Sequence, residues 1–424
     1  MVIKQVLYNL AKNLIAPFAL ILIFLQALRV RGSTLNRQYH GEKPRLIYGP
    51  TPIISIKYIS QAMRQKGYEA RTFVYEVYSI HTSEDYDYHL SDLFRIFFIT
   101  GRLKKVLIAL LGPYRAFLWV LPRFDIFHYF FDGGFLARTP IRFLEVQLLH
   151  LAGKKVVVMP YGSDVAVPTL IRSLEFRQAL MMKYPYLGSR EKLTLNWIRY
   201  FTRRADSIVV CLFHSETLPT WNLLTTHYYP IDTEAWLPNG YDSGHNGKDG
   251  LVTIVHASNH RELKGTEFLI SACRELEAEG YRIELRLLEQ VSNTEVQRIM
   301  KESDIIAEQF IHGYALTAME GMSLAKPVLS NLSDDHYYQV HRLYTGLNEC
   351  PVVSTSINQI KDHLRMLITN PEIRRQIGEA GRRYVVKYHS YETVARMWEL
   401  IYRKIWFAEE IDLTVWHPDR FLDG

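Results

Sequence analysis

The chain has 424 residues, of which 48% are hydrophobic, and a formal net charge of +6 at pH 7. This length exceeds one ordinary core, so two domains of about 200 residues each are expected. Residues 1–45 hold seven Lys and Arg against one Glu, so the rest of the chain is close to neutral and a general nucleic-acid-binding role is excluded. Three scattered cysteines without metal-ligand spacing indicate a reducing compartment and no disulfide framework: Cys211, Cys273 and Cys350.

The N-terminal segment, residues 1–40, contains an almost purely apolar run from Leu14 to Leu28. Lys12 precedes this run, and Arg29 and Arg31 follow it. The run is shorter than the roughly 20 residues of a spanning helix, and no small-x-small cleavage site follows it. Three interpretations stay open: a shallow anchor with its cations on anionic headgroups, a true span, and a helix buried in the fold.

Residues 41–245 form the predicted first domain. A short strand at 46–48 leads through a tight Gly-Pro loop into a helix that ends at Gly67, and a second strand covers 70–75. This βαβ opening fits the first half of a doubly wound parallel sheet.

Three further apolar runs are predicted to be buried parallel strands of this domain, at 124–128, 154–159 and 205–211. His128 ends the first of them, and a Pro-Tyr-Gly-Ser-Asp loop with Asp164 follows the second. Open α/β sheets bind ligands at these carboxyl ends, so both residues are candidates to orient a substrate hydroxyl. A buried structural His and a helix-capping Asp are the plainer alternatives.

Residues 102–123 mix Lys and Arg with aliphatic and aromatic residues. The pattern fits a core helix with a charged outer side. It also fits a second membrane-docking surface, in which cations reach headgroups above inserted apolar side chains.

The second domain is predicted at 246–390, after a linker rich in Gly, Asp and Asn. A buried strand at 252–255 runs into a polar loop, and a helix begins near Thr266. Arg261 and Lys264 place two cations at the mouth of that helix, as a diphosphate requires.

A second loop and helix lie at 308–327, where a short loop with Gly313 precedes a helix that begins near Ala315. Free N–H groups at a helix N-terminus favour an anion. Glu320 lies one turn inside and leans back towards the loop, where it can accept hydrogen bonds from the vicinal hydroxyls of a ribose. The combination suits a nucleoside diphosphate.

The rest of the second domain alternates strands and helices, as a parallel sheet requires. Two long helices follow, at 374–387 and 391–407, and residues 391–424 are expected to form a C-terminal helix and tail.

The runs HASNHRELKGTEFLI and HGYALTAMEGMSLAKPV resemble the donor-site signature of retaining GT-B glycosyltransferases of the GT4 type, in the bacterial polysaccharide and cell-envelope branch. The resemblance implies two Rossmann-like doubly wound domains that face a cleft, with C-terminal helices crossing back to the first domain. It assigns the donor diphosphate to Arg261 and Lys264 and the ribose to Glu320.

The resemblance also implies the remaining site residues. The donor side adds His312, Gly313, Leu316 and Thr317, and the acceptor side comprises Gly49, Thr51, Tyr161, Gly162 and Ser163. Catalysis falls to Arg261, Lys264, Asp164 and His128, largely by stabilising the leaving diphosphate. No cofactor and no metal are expected, since the fixed cations take a metal's place.

Two positions depart from the family pattern. Tyr161 stands where a His is common, and His312 stands where a Glu is common, eight residues before Glu320. The predicted activity is transfer of a sugar, with retention, from a nucleoside-diphosphate sugar to a lipid-linked or glycan acceptor. The protein is expected in the cytoplasm, peripheral or N-terminally anchored at the inner face of the membrane, where residues 1–45 and 102–123 would contact anionic lipid. Two rivals are a catalytically impaired sugar-nucleotide- or glycan-binding partner in a membrane assembly, and a GT-B phosphorylase or epimerase.

Overall fold

A computed structural model describes residues 2–78, 82–94, 101–213 and 215–421. Two parallel β-sheets, each covered by helices, form its two halves. The prediction of two doubly wound α/β domains is confirmed.

The first sheet has seven parallel strands in the order β3-β2-β1-β4-β5-β6-β7. The chain leaves β1 towards one edge and returns to β4 on the other side, so the topological switch point lies between β1 and β4. Its strands are β1 (Leu46–Tyr48), β2 (Ala70–Val74), β3 (Tyr88–His89), β4 (Ile126–Tyr129), β5 (Lys155–Val158), β6 (Ser207–Val210) and β7 (Leu223–Leu224).

Six helices belong to the first half: α1 (Val2–Tyr39), α2 (Ser55–Gln65), α3 (Gly101–Val120), α4 (Glu145–Leu151), α5 (Leu174–Lys183) and α6 (Leu187–Thr202). Two apolar clusters fill the two faces of the sheet. The strands are short and buried on both faces, which is typical of a parallel sheet.

The second sheet has five strands in the order β12-β11-β10-β8-β9, with its switch point between β8 and β10. They are β8 (Val252–Ala257), β9 (Ile283–Leu288), β10 (Ile305–Gln309), β11 (Val328–Ser330) and β12 (Val353–Ser354). The helices of this half are α7 (Arg261–Lys264), α8 (Thr266–Ala278), α9 (Asn293–Lys301), α10 (Leu316–Ser323), α11 (Asp335–Tyr344), α12 (Ile360–Thr369) and α13 (Pro371–His389).

The last helix, α14 (Tyr391–Trp406), returns to the first half of the molecule and packs on α2. The indole of Trp398 is fully buried there, and its N–H donates to the carbonyl of Tyr228 at 2.8 Å. The tail then pairs with the edge of the first sheet, where the N–H of Trp416 donates to the carbonyl of Leu224 at 2.8 Å. The prediction that the C-terminal part crosses back is confirmed.

Helix α1 packs lengthwise on the first half, against α3 and α4. Small residues make this contact possible, because Ala16, Ala19 and Ala27 are buried with Ile23 on one face. The opposite face is apolar and exposed, and the side chain of Phe18 is 72% exposed. That face carries Leu10, Leu14, Phe18, Ile21, Leu22, Leu25 and Leu28. Within the described residues, 8–39 is a stretch long and apolar enough to cross a membrane, by length and composition.

Helix α3 covers most of the predicted amphipathic segment at 102–123 and lies beside α1. Its C-terminal half enters the core with Phe117 and Val120, while Leu103 and Val106 are exposed near its N-terminus. The C-terminal half therefore fits the core-helix interpretation, and the membrane-docking interpretation stays a prediction.

Candidate functional site

A cavity of about 480 Å³ lies between the two halves of the molecule, at the carboxyl ends of β8 and β10. This is the switch point of the second sheet, where open α/β sheets bind ligands. The second half contributes Ser258, Asn259, His260, Lys264, Ser292, Asn293, Thr294, Leu316, Thr317 and Glu320. The first half contributes Ile54, Lys57, Tyr58, Thr82 and Asp85. We call this space the donor cavity.

An ion pair lies at the floor of the donor cavity. The ammonium of Lys264, at the end of α7, is 2.9 Å from Oε1 of Glu308 on β10. The Glu308 side chain has no solvent exposure, and its second oxygen accepts from the hydroxyl of Ser330 at 3.0 Å and the N–H of Ala315 at 3.3 Å. Glu308 therefore joins three segments: α7, the start of α10, and β11.

Glu320 lines the same cavity from α10 and is 4% exposed. Burial raises the pKa of its carboxyl to about 8, and Glu308 adds to the shift while Lys264 opposes it. Among the residues that the structure describes, none donates a hydrogen bond to this carboxyl group. A buried carboxyl with open hydrogen-bonding capacity, aimed into a cavity, is suited to a ligand with hydroxyl groups.

The N-terminus of α10 also faces the donor cavity, through Leu316 and Thr317. The capping position, Ala315, supplies no side-chain hydrogen bond to the first turn. Four residues predicted from the sequence thus meet here: Lys264, Glu320, Leu316 and Thr317.

Arg261 follows the lining residue His260, but its guanidinium is not among the groups that line the donor cavity, and its role at a diphosphate stays a prediction. It lies outside and forms ion pairs with Glu267 at 2.6 Å and Glu289 at 2.7 Å. The side chain is 36% exposed, so these pairs are weak. Of the two cations predicted to face a diphosphate, Lys264 lines the cavity. Lys57 of α2, paired with Asp85 at 2.6 Å, lines the same cavity from the first half.

His312 and Gly313 are also displaced from the predicted donor site. The His312 ring stacks on Phe176 of α5, with centroids 4.6 Å apart, and its Nδ1 lies 2.9 Å from the hydroxyl of Tyr338. It borders a separate cavity of about 310 Å³. Gly313 has φ +68°, and a Cβ there would meet the Phe213 ring at 2.8 Å, so it serves the turn and the close approach of the two halves.

A second cavity, of about 400 Å³, lies at the carboxyl ends of β1 and β4, the switch point of the first sheet. Thr51 and Tyr161 line it, as predicted for the acceptor side. The hydroxyl of Thr51 lies 3.0 Å from both carboxylate oxygens of Asp132. We call this space the acceptor-side cavity.

Asp164 lies beside this cavity, but its oxygens are already occupied. One accepts from the N–H of Phe131 at 2.9 Å, and the other from the N–H groups of Tyr161 and Gly162 at 3.0 and 2.9 Å. Burial, and after it the neighbouring Asp132, raise the pKa of Asp164 to about 8. The residue therefore joins the loop after β4 to the loop after β5, and the expectation that it orients a substrate hydroxyl stays a prediction.

His128 also requires a correction, because its ring lies in the core and not in the cleft. It is 1% exposed, with Nδ1 3.1 Å from the carbonyl of Ile47 and Nε2 2.9 Å from the hydroxyl of Tyr402 on α14. Burial lowers its pKa to about 3, so the imidazole is neutral. It joins α14 to the first sheet.

The other residues predicted for the acceptor side lie in different places. Ser163 lines a small cavity that adjoins the acceptor-side cavity. Gly162 supplies a backbone donor to Asp164. Gly49 has φ +145°, and a Cβ there would lie 1.9 Å from the carbonyl oxygen of Phe73, so this glycine is required by close backbone packing.

Sequence reasoning missed Asp132 and Lys57. The first had a usable signal, because a carboxylate followed by Gly133 and Gly134 directly after a strand marks a tight loop at the ligand edge. No such signal marks Lys57, because it is one polar residue on an amphipathic helix.

One group of described residues has the spacing of metal ligands: Glu349, His417 and Asp419. The ammonium of Lys387 lies 3.0 Å from Glu349 and 2.8 Å from Asp419, so a fixed cation already neutralises this surface cluster.

Comparison with known proteins supports the sequence resemblance. Residues 260–399 match the profile of a family described as glycosyl transferase-like. The matched segment contains Lys264, Glu308 and Glu320. No curated protein sequence matches the chain.

Solved structures share the fold at low sequence identity. A sucrose-phosphate synthase from Thermosynechococcus elongatus superposes with a TM-score of 0.55 at 13% identity, over 87% of this chain and 100% of its own. HepE of Anabaena, solved with UDP-glucose, gives 0.52 at 11% identity, over 85% and 99%. An α-glucosyltransferase solved with UDP-glucose and DNA gives 0.51 at 12% identity, over 85% and 99%. The fold is GT-B.

The ion pair on the cavity floor leads to a stability prediction. Lys264→Met leaves the Glu308 carboxylate buried without its cation, and we expect a loss of about 3 kcal/mol in the free energy of unfolding. The double variant Lys264→Met/Glu308→Gln removes both charges and should recover at least about 1 kcal/mol of that loss. Urea unfolding of the two variants and of Glu308→Gln measures the coupling. Additive losses would contradict a direct interaction.

Proposed function

We propose that the protein is a glycosyltransferase that moves a sugar from a nucleoside-diphosphate sugar to a lipid-linked or glycan acceptor. One observation supports this most: Lys264, Glu320 and the N-terminus of α10 line one cavity at the switch point of the second sheet. The ammonium suits a diphosphate, and the carboxyl group suits ribose hydroxyls.

The chemistry needs a stabilised leaving group. The bond from the anomeric carbon to the diphosphate oxygen breaks, the acceptor oxygen bonds to that carbon, and the proton of the acceptor hydroxyl passes to the departing diphosphate or to water. Negative charge that develops on the diphosphate would be met by Lys264 and by the free N–H groups at the start of α10. Retention of configuration, independence of metal, and the GT4 and cell-envelope assignment rest on the resemblance of the two sequence runs.

Donor turnover tests the proposal. The purified protein is incubated with UDP-, GDP- and ADP-sugars, with and without solubilised membrane extract, and free nucleotide is measured. We expect slow release from one donor, faster with extract. Release should be lost in Glu320→Ala and in Lys264→Met/Glu308→Gln, a pair of changes that leaves no unmatched buried charge.

The control for these variants is Glu267→Gln, which breaks a surface pair of Arg261 outside the cavity and should keep the wild-type rate. Binding of a nucleotide sugar without release, even with extract, would instead support the non-catalytic binding partner. Failure of every nucleotide to bind would contradict both.

The pKa of Glu320 gives a separate pH prediction. Its carboxyl is protonated below about pH 8 in the free protein, whereas ribose hydroxyls are best bound by the carboxylate. Binding below pH 8 must therefore release a proton, and nucleotide affinity should rise about tenfold from pH 7 to pH 9. Glu320→Gln should bind more weakly, with no change over this range, as measured by calorimetry. An equal slope in the variant would assign the pH dependence to another group.

We also propose that the protein lies on the inner face of the membrane through α1 and the start of α3. The buried face of α1 is made of small residues and its outer face of Leu, Ile and Phe. Both ends are tied to the first domain: the hydroxyl of Tyr8 donates to the carbonyl of Ala109 at 3.3 Å, and Arg31 to that of Leu151 at 3.0 Å. A helix held along its length favours in-plane insertion, with Arg29 and Lys105 exposed towards anionic headgroups.

Vesicle flotation tests this surface. Phe18→Ser/Leu22→Ser should lower binding to phosphatidylglycerol-containing vesicles at least tenfold, since burial of each side chain contributes about 1.5–3 kcal/mol. The matched control, Leu174→Ser/Leu343→Ser, changes two equally exposed side chains elsewhere and should bind as the wild type does. Equal loss in both double variants would mean that general hydrophobicity, not α1, drives the association.

A further inference from the structure

The acceptor-side cavity is unusually rich in arginine for a site expected to take a neutral sugar. Arg138, Arg142 and Arg190 line it, against two acids, Glu76 and Asp132. Arg138 is paired with Glu76 at 2.5 Å. Arg142 and Arg190 form no ion pair with any carboxylate in the described part of the chain, and the three arginines exceed the two acids of the lining by one positive charge.

Arg142 is half-buried and has one donor without a partner inside the described part of the protein. Its Nε is buried and has no hydrogen-bond partner among the described residues. A buried guanidinium donor without an acceptor is costly, and a planar fork of this kind matches the oxygens of a phosphate.

Asp132 is carried by the loop after β4, and buried contacts fix the shape of this loop. Glu145 is fully buried and accepts from the N–H groups of Phe135 and Leu136, both at 2.8 Å. A Cβ at Gly134 would lie 2.3 Å from the Glu145 carboxylate, so only glycine fits there. These contacts fix the turn after β4 and direct Asp132 to Thr51 across the switch point of the sheet.

Asp132 is also suited electrostatically to meet a hydroxyl. Burial raises its pKa to about 6, while Thr51, Arg138 and Arg190 oppose the shift. The group is therefore largely a carboxylate at pH 7 and accepts hydrogen bonds. Unlike Asp164, it receives no hydrogen bond from the backbone of another described residue.

The cavity lies next to the apolar helix. The ammonium of Lys12 on α1 donates to the carbonyl of Arg138 at 2.9 Å, so the loop that carries Arg138 is joined to α1. The same cavity reaches Pro52, two residues before Ile54 in the wall of the donor cavity. The space therefore extends from the proposed membrane surface towards the donor.

We infer that the acceptor-side cavity binds an acceptor with a phosphate or diphosphate group, which Arg142 and Arg190 hold, while Asp132 accepts a hydrogen bond from the acceptor's reacting hydroxyl. The inference rests on the proposed glycosyl transfer. It names a substrate class: a sugar carried on a lipid diphosphate, or a free phosphosugar of the same charge.

Calorimetric titration with farnesyl diphosphate, farnesol and inorganic pyrophosphate tests the anion site in the full chain. Farnesyl diphosphate should bind, and its affinity should fall at least tenfold in Arg142→Gln/Arg190→Gln and be kept in Lys264→Met/Glu308→Gln. The matched control is Arg199→Gln, an exposed arginine on the same helix as Arg190, which should bind normally. If pyrophosphate binds as tightly as farnesyl diphosphate and loses affinity in the arginine variant, the acceptor is a free phosphosugar and not a lipid diphosphate.

The inference is overturned if farnesol binds as tightly as farnesyl diphosphate, or if the donor-cavity variant loses the probe and the arginine variant keeps it. Neither result depends on turnover, so a failure here is distinct from a failure of the proposed transferase.

The role of Asp132 has its own measurement. Asp132→Asn removes a negative charge beside the arginines, so farnesyl diphosphate should bind at least as tightly as to the wild type. The rate of nucleotide release in the presence of membrane extract should nevertheless fall at least tenfold, in kcat more than in KM. An Asp132→Asn variant that transfers at the wild-type rate would remove this residue from the proposal.

Discussion

The ion pair between Lys264 and Glu308 is the interaction on which the donor cavity depends. Glu308 lies on a central strand with no exposure to solvent, and its two oxygens contact Lys264 at the end of α7, the N–H of Ala315 just before α10 and the side chain of Ser330. A buried carboxylate is tolerated only when its hydrogen bonds and its charge are satisfied. The position of each of these elements is therefore set by the need to surround one carboxylate.

The pair also balances the positive charge of Lys264 before a ligand binds. Lys264 faces the cavity with its charge already balanced, and a diphosphate that enters adds negative charge near Glu308 and Glu320. Burial is the main cause of the raised pKa of the Glu320 carboxyl, and the neighbouring Glu308 adds to the shift while Lys264 opposes it. The lining of the cavity offers the ammonium groups of Lys264 and Lys57 together with the Glu320 carboxyl group, so a ligand with both phosphate and hydroxyl groups would match it.

Both sheets use the same geometrical device. In each, the chain moves in opposite directions from two neighbouring central strands, which leaves a crevice at their carboxyl ends. The second sheet fills its crevice with Lys264 and Glu308, and the first fills its own with Thr51 and Asp132. The loop after β1 borders both cavities, which places the two crevices on one path.

The sequence predicted what local patterns encode. Apolar runs identified the strands, and the loop-helix signature identified Lys264, Glu320 and the start of α10. Partners that are distant in the chain could not be predicted in this way. Arg261 pairs with Glu289, 28 residues later, and His128 bonds to Tyr402, 274 residues later. No local pattern reveals such a partner, so a polar residue at a strand end cannot be assigned to a cleft or to a core from its neighbours alone.

Helix α1 is a second case in which the local sequence pattern left the structural role open, and the structure shows which property distinguishes its two faces. The run at 14–28 is apolar on every side, so hydrophobicity did not separate a span from an anchor or a core helix. The two faces of the helix differ in the size of their side chains, because alanines recur at helical spacing on the side that packs against α3 and α4. Small side chains let two helices approach closely, and the large ones then project outward. A broad exposed apolar face of this kind is typical of an interaction surface, and Lys12 on the same helix donates to the carbonyl of Arg138, which lines the arginine-rich cavity. The apolar face and the cationic cavity make physical sense together if the molecule takes its acceptor from a lipid surface.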